Sequence, residues 1–396
     1  MTEPTSDHPQ ISTWLEHVRV LSVDIGPREP TGDGERKGAE YAKSQFEHIG
    51  LRPVWEEFLS ARSIFLPHVL GGFLMLVAFI VFPMGGRVTA VLSATLSLLV
   101  IVNELLELSF KNNLFRRIVP KGKSQNVFAV LPPTGEHRRD LVLVGHLDTQ
   151  RTPIFFRSPQ WVKIYDRFTM LLFIAYIAQL VLYTLSIFTL WDWTWYATVP
   201  SAICAILLVI FFIWADFSPF TAGANDNATA VGLVLTLAEE LKNHPLSNTR
   251  LFMVCTGCEE VQHYGMIDWY RRHRSELKDP RALVFEMLGV EGPAWLTHEG
   301  IIVPFRSNPE LVSIVNKLSE DHPEWGAYPN KISGGNTEMA DAVRARVPAI
   351  TLFGMSRDGV APYWHQVGDT FDKLRPEVME RTWKLVRALI NKIDAP

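Results

Sequence analysis

Four stretches of this 396-residue chain carry almost no charge, and they constrain its fold more than any other feature. Residues 64–83 read IFLPHVLGGFLMLVAFIVFP, and residues 88–102 read VTAVLSATLSLLVIV before Glu104 and Glu107 restore charge. Residues 168–190 hold Gln179 as their only strongly polar side chain, and residues 193–215 run between Asp192 and Asp216. A hydrocarbon core of ~30 Å takes ~20 apolar residues in a helix, so three of the four suffice outright and the second is the shortest. Buried helices of a soluble protein keep a polar face more often than these do. The expectation is two inserted transmembrane hairpins, residues 64–109 and 164–216, forming a four-helix membrane domain in the lipid bilayer.

Charge gives the hairpins an orientation. The short loops 84–87 and 191–193 hold Arg87 as their only Lys or Arg, whereas Lys111, Arg116, Arg117, Lys121 and Lys123 follow the first hairpin and Arg151, Arg157, Lys163 and Arg167 precede the second. The positive-inside rule then puts the remaining segments on the cytoplasmic side of a multi-pass membrane protein. The polar start MTEPTSDHPQISTW predicts no signal peptide. Trp191, Trp193 and Trp195 suit an interfacial aromatic belt, although core packing would use the same letters. Three cysteines make no disulfide framework, which agrees with a reducing compartment. With 38 basic against 42 acidic residues there is no basic footprint for nucleic acid, and 11% aromatic content excludes disorder.

What remains, residues 1–63, 110–163 and 217–396, is the size of one α/β domain, discontinuous in sequence. Helices are expected over 11–23, 38–49, 227–242, 261–275, 309–320 and 376–393, and strands over 53–58, 126–131, 141–145, 250–256, 283–287 and 348–353. Strands alternating with helices predict a mixed, mostly parallel sheet sandwiched by helices.

Along this scaffold, histidines and carboxylates fall where strands end. LVLVGHLDT closes a strand with His146, and Asp148 two positions on points the same way, able to hold the far nitrogen of His146. GANDNATAV puts Asp226 at a helix entrance. LFMVCTGCEE ends in Glu259 and Glu260, LVFEMLG in Glu286, and PYWHQVGDTFDKL offers His365 before a polar turn. Each alone has a structural explanation, a helix cap or a satisfied core histidine. Together, two imidazoles and several carboxylates without a thiolate suit zinc or a similar divalent ion, whose charge offsets theirs. Cys255 and Cys258 have redox-motif spacing, but the preceding LFMVC reads as a buried strand, so a structural role is expected.

These residues, with DIGPREPTGDGERKGAEYAKSQFEHIGL at the start and GNTEMADAVRARVPAITL near the end, resemble the di-zinc aminopeptidase family that includes bacterial leucyl-type aminopeptidases and, more distantly, glutamate carboxypeptidase. The resemblance implies the zinc exopeptidase fold, a peptide substrate and two zinc ions, with Asp226 bridging, His146 and Glu286 completing one site, and Glu260 and His365 the other. It makes Glu259 the general base. Three departures stand out: Glu286 replaces the usual Asp, Thr229-Ala230 replaces Ser-Gly after the bridging Asp, and VQHYGM replaces a Gly-rich run after Glu260.

The second hairpin falls between His146 and Asp226. If the strands ending at Phe58 and Leu131 are antiparallel neighbours and Leu131 turns through PPTGEHRR into the strand ending at Gly145, both hairpins leave from the catalytic rim. That leads to the expectation of a cleft facing the membrane, against the plainer reading of an anchor. A glutaminyl cyclase-like acyltransferase with one zinc and a non-catalytic receptor or scaffold are the competing functions.

Overall fold

The computed structural model describes residues 4–395. In chain order the elements are α1 (Pro9–Arg19), α2 (Asp33–His48), β1 (Val54–Ala61), α3 (Leu66–Val81), α4 (Gly86–Leu108), α5 (Leu114–Ile118), β2 (Lys121–Leu131), β3 (Arg139–His146), α6 (Pro159–Thr189), α7 (Trp193–Ala197) and α8 (Val199–Asp216). They continue with α9 (Thr229–Asn243), β4 (Thr249–Thr256), α10 (Tyr264–His273), β5 (Arg281–Glu286), β6 (Ala294–Leu296), β7 (His298–Glu299), β8 (Phe305–Arg306), α11 (Pro309–Asp321), β9 (Tyr328–Asn330), α12 (Met339–Arg344), β10 (Ala349–Phe353) and α13 (Pro376–Asp394).

Two units divide the chain, one of residues 1–60, 121–150 and 220–396, the other of residues 61–120 and 151–219. These borders differ from the sequence expectation, which gave 110–163 to the α/β part. Residues 114–118 go with the helical unit because Arg116 is buried in an ion pair with Glu107 of α4, and residues 151–163 because Phe155 lies in the same apolar cluster as Phe65 and Phe212.

The first unit is built on an eight-stranded sheet ordered β1-β2-β4-β3-β5-β10-β6-β9. Strands β4, β3, β5 and β10 run parallel, and β2 lies antiparallel to β4. β2 and β3 do run in opposite directions, as the sequence suggested, but β4 lies between them, so PPTGEHRR is a crossing connection and not a tight hairpin. The strands are nearly continuous apolar runs because both faces are covered. One face packs against α1, α2, α9, α11 and α13 around Trp14, Phe46 and Trp295, and the other against α10 and α12 around Trp269. Gly145 lets β3 approach α9 closely, since a Cβ there would sit 2.9 Å from the Ala230 carbonyl carbon. The parallel strands end together, and such ends are where open α/β sheets place their sites.

The second unit is a helical bundle in which α3 packs on α4 and α8, and α6 packs on α4 and α8. It contains, among the described residues, four helices long and apolar enough to cross a membrane: Leu66–Met84, Gly86–Leu108, Pro159–Thr189 and Val199–Asp216. Its outside is apolar, with Phe73, Ile80, Ile174, Ile210 and Phe217 exposed, while small and polar residues face inward. Gly72 sits where a Cβ would lie 2.8 Å from Leu208. Ser93 donates to the Ala78 carbonyl at 2.8 Å, Gln179 to the Met75 carbonyl at 3.2 Å, and Tyr183 pairs with Thr198 at 3.0 Å. Small contacts and internal hydrogen bonds hold helices together where the surroundings are themselves apolar.

Two helices here differ from the sequence expectation. α4 continues past Glu104 and Glu107 because both carboxylates turn inward, Glu104 onto His68 at 2.6 Å and Glu107 onto Arg116 at 3.1 Å. The last span is broken, α7 ending before α8 starts at Val199, with Pro200 in the first turn where its missing N–H costs nothing. Each excursion of the chain is stapled at its ends: Arg62 N donates to Pro120 O at 3.1 Å, Thr152 N to Pro219 O at 2.9 Å, and Thr221 N to Gln150 O at 3.0 Å.

Candidate metal centre

Three adjacent parallel strands deliver the first components. His146 is the last residue of β3, Glu286 the last of β5, and Glu259 and Glu260 follow the end of β4 by three and four positions. Asp226 comes from the irregular turn before α9, and His365 from a loop after β10 where its φ is 52°. Gly223, at φ 61°, starts that turn, and its carbonyl accepts from the fully buried Arg28 at 2.9 Å. Arg28 also donates to Leu147 O at 2.7 Å and to Ala222 O at 2.9 Å, joining the two chain segments that carry His146 and Asp226.

The side chains converge. His146 Nε2 lies 3.5 Å from Asp226 Oδ1 and 3.6 Å from Glu286 Oε1. His365 Nε2 lies 3.5 Å from Asp226 Oδ2 and 3.2 Å from Glu260 Oε2. Asp226 thus offers one oxygen to each side, and two ligand-like groups result: His146, Asp226 and Glu286, and Asp226, Glu260 and His365, each with ligand atoms within 4.8 Å of one another. His146, Glu259 and Glu260 form a third group by the same measure.

Support from behind is specific. His146 Nδ1 faces the main-chain oxygen of Asp148 at 3.1 Å, which makes Nδ1 the donor and leaves the Nε2 lone pair toward the carboxylates. The carboxylate of Asp148 stands in ion-pair range of Nδ1, at 3.6 Å, and also accepts the main-chain N–H groups of Glu259 and Glu260, each at 3.0 Å. Asn227 Nδ2 donates to Glu286 Oε2 at 2.9 Å, and Gln150 Nε2 to Glu260 Oε2 at 3.1 Å. Thr229 Oγ accepts from Leu288 N at 3.0 Å, fastening the start of α9 to the end of β5.

Electrostatics test whether a cation fits. Burial pushes the Glu260 carboxyl well above its usual range, with Asp226 and Glu259 adding to the rise. Burial likewise takes Glu286 up to about 8 against the pull of His146. On the Glu259 carboxyl burial is opposed and outweighed by His146 and His263, which bring it down to about 2. Asp226 Oδ2 and Glu260 Oε1 are buried without a hydrogen-bond partner. A concentration of buried carboxylates with orphaned oxygens and ring nitrogens aimed at one another is stable when cations supply the missing charge, so the donor set fits a divalent metal.

Several residues that build this site were given no role by the sequence, although all but Gln150 lie in segments quoted above. Arg28, Gln150, Asn227, His263, Asp341 and Asp369 act through contacts with partners far away in sequence.

Residues 208–390 match the model of Peptidase family M28, a stretch that contains Asp226, Glu259, Glu260, Glu286 and His365 but not His146. No match was found among curated proteins. Similar solved structures include a glutaminyl cyclase from Fimbriiglobus ruber (15% identity, 98% of this chain and 97% of that one covered, TM-score 0.57). A leucine aminopeptidase precursor from Bacteroides thetaiotaomicron (13%, 98% and 98%, 0.57) and a zinc aminopeptidase from Bacillus subtilis (12%, 99% and 96%, 0.58) share the fold equally.

Proposed function

We propose that this chain, whose residues 208–390 match Peptidase family M28 and whose fold is similar to that of a zinc aminopeptidase, is a membrane-embedded metallo-aminopeptidase. Two zinc ions would be held by His146, Asp226 and Glu286 and by Asp226, Glu260 and His365. The observation that carries this reading is Asp226, whose two oxygens face two separate histidine–carboxylate sets. When bound, such a pair supplies Lewis-acid activation of water and of the scissile carbonyl. Glu259 takes a proton from the attacking water as the new C–O bond forms, and passes it to the amine nitrogen as the C–N bond breaks. Asp148 orients Glu259 and Glu260 through their main-chain N–H groups. Cleavage at a free N-terminus is carried by the family alone.

The four apolar helices would span a bilayer, with the basic flanks on the cytoplasmic side.

A second reading, a glutaminyl cyclase-like acyltransferase, is favoured by one observation: Asp226, Glu260 and His365 close a complete set for a single ion. The test combines metal analysis with turnover of peptides bearing free, blocked or glutaminyl N-termini. Two equivalents and hydrolysis of free N-termini support the aminopeptidase; one equivalent and cyclisation support the alternative. Glu259→Gln is expected to abolish turnover and keep the metal, and an active variant would refute the assigned base.

A further inference from the structure

Glu259 can serve as a base only if it stays off the metal. Its Oε2 lies 3.7 Å from His146 Nε2, and with His146 and Glu260 it forms one of the groups with ligating geometry. A carboxylate so placed can swing in as an additional ligand. What holds it is on the other side. Its Oε1 is in ion-pair contact, 3.2 Å, with Nε2 of His263, and Nδ1 of His263 lies 2.6 Å from Asp341 Oδ2. All three side chains are at least nine-tenths buried.

The local backbone explains how His263 gets there. Gln262 and His263 are left-handed, at φ 80° and 58°, so α10 starts at Tyr264 and not at Val261 as the sequence suggested. The His263 N–H donates to Glu259 O at 2.8 Å, closing a turn that folds the ring back over the carboxylate. Both ring nitrogens face carboxylates, which only accept, so both carry hydrogen. An imidazolium between two carboxylates is a charge-assisted tether, stronger than a neutral contact in a buried place.

We propose that His263, backed by Asp341, is a positioning residue that fixes Glu259 as a base by tying down Oε1 and keeping the carboxylate from closing on the metal centre. This rests on the reading of Glu259 given above. It gives the departure from a Gly-rich run at VQHYGM a purpose.

His263→Asn tests it, since asparagine tolerates a left-handed backbone but is too short to reach Glu259. Asp341→Asn keeps an acceptor for Nδ1 and removes its charge. His263→Gln restores a donor. In the first two variants kcat is expected to fall roughly 10- to 100-fold with KM little changed, as a misplaced group costs without loss of substrate contacts. His263→Gln should recover part of it. The cobalt-substituted protein gives a readout independent of turnover: if Glu259 becomes a ligand, visible absorption weakens as coordination number rises, with metal content unchanged. An unaltered kcat and spectrum in both asparagine variants overturns the inference, and so does loss of metal or of folded protein in both. If Glu259→Gln is inactive while His263→Asn turns over normally, only this inference fails; if Glu259→Gln is active, the base assignment fails first.

Discussion

The two carboxylate oxygens of Asp369 hold the main chain that delivers Asp226: Oδ1 accepts from Asn225 N at 2.7 Å and Oδ2 from Asp226 N at 2.9 Å. Asp369→Asn can satisfy only one of these N–H groups, and its amide faces the other donor to donor. Changes behind a ligand typically cost 10- to 100-fold in metal affinity. The variant is expected to lose metal at correspondingly lower chelator concentration in equilibrium dialysis, and retention equal to wild type contradicts this role.

Metal removal should be visible in stability as well as in activity. The ligand-like carboxylates are buried close together, and whatever binds the folded site but not the unfolded chain stabilises by an amount that grows with its concentration. Thermal unfolding in detergent is expected to shift upward with added zinc and downward with chelator. An unfolding temperature insensitive to both would mean that these residues do not form a metal centre.

His17 predicts a pH dependence far from the metal. Burial takes its imidazole down to about 4, against an opposing pull from Glu16, and the ring pairs with the Tyr41 hydroxyl at 2.8 Å. The folded value lies below the unfolded one of about 6.5, so the unfolded chain takes up the proton first as pH falls. Stability is full above pH ~6.5, is lost progressively toward pH 4, and levels off below it; between pH 7 and pH 5 the loss is about 2 kcal/mol. Denaturation of His17→Phe should lack this component, and identical pH slopes in variant and wild type would disprove it.

In the helical unit, Arg116 donates to both oxygens of Glu107, each at 3.1 Å, and both side chains are nearly inaccessible. Breaking such a pair strands a buried charge at a cost of about 3–5 kcal/mol, whereas removing both partners is far milder. Arg116→Met is expected to lower the unfolding temperature sharply, and Glu107→Gln with Arg116→Met to restore much of it. Equal losses in the single and double variants would show that the pair is not coupled.

Chemistry was legible wherever it sits on a local pattern. His146 and Glu286 end apolar runs that can only be strands, Asp226 precedes a helix, and long apolar runs announce their helices by length alone. Order across the sheet was not legible, because β4 slips between β2 and β3 although it is more than a hundred residues from either. Nor was His263, whose role needs a left-handed turn and a partner 78 positions away. The inward-turned Glu104 and Glu107 hid the true length of α4, since charge in a sequence does not reveal that its counter-charge is already within reach.

The stapled ends of each excursion have an architectural consequence. With Gln150 hydrogen-bonded to Thr221, and Arg62 to Pro120, the chain departs and returns through a gap no wider than a strand pairing, so the host framework is not stretched by what is threaded through it. Such a junction behaves as a socket: residues can be added to or removed from the excursion beyond it while β3, β4 and β5 keep their register.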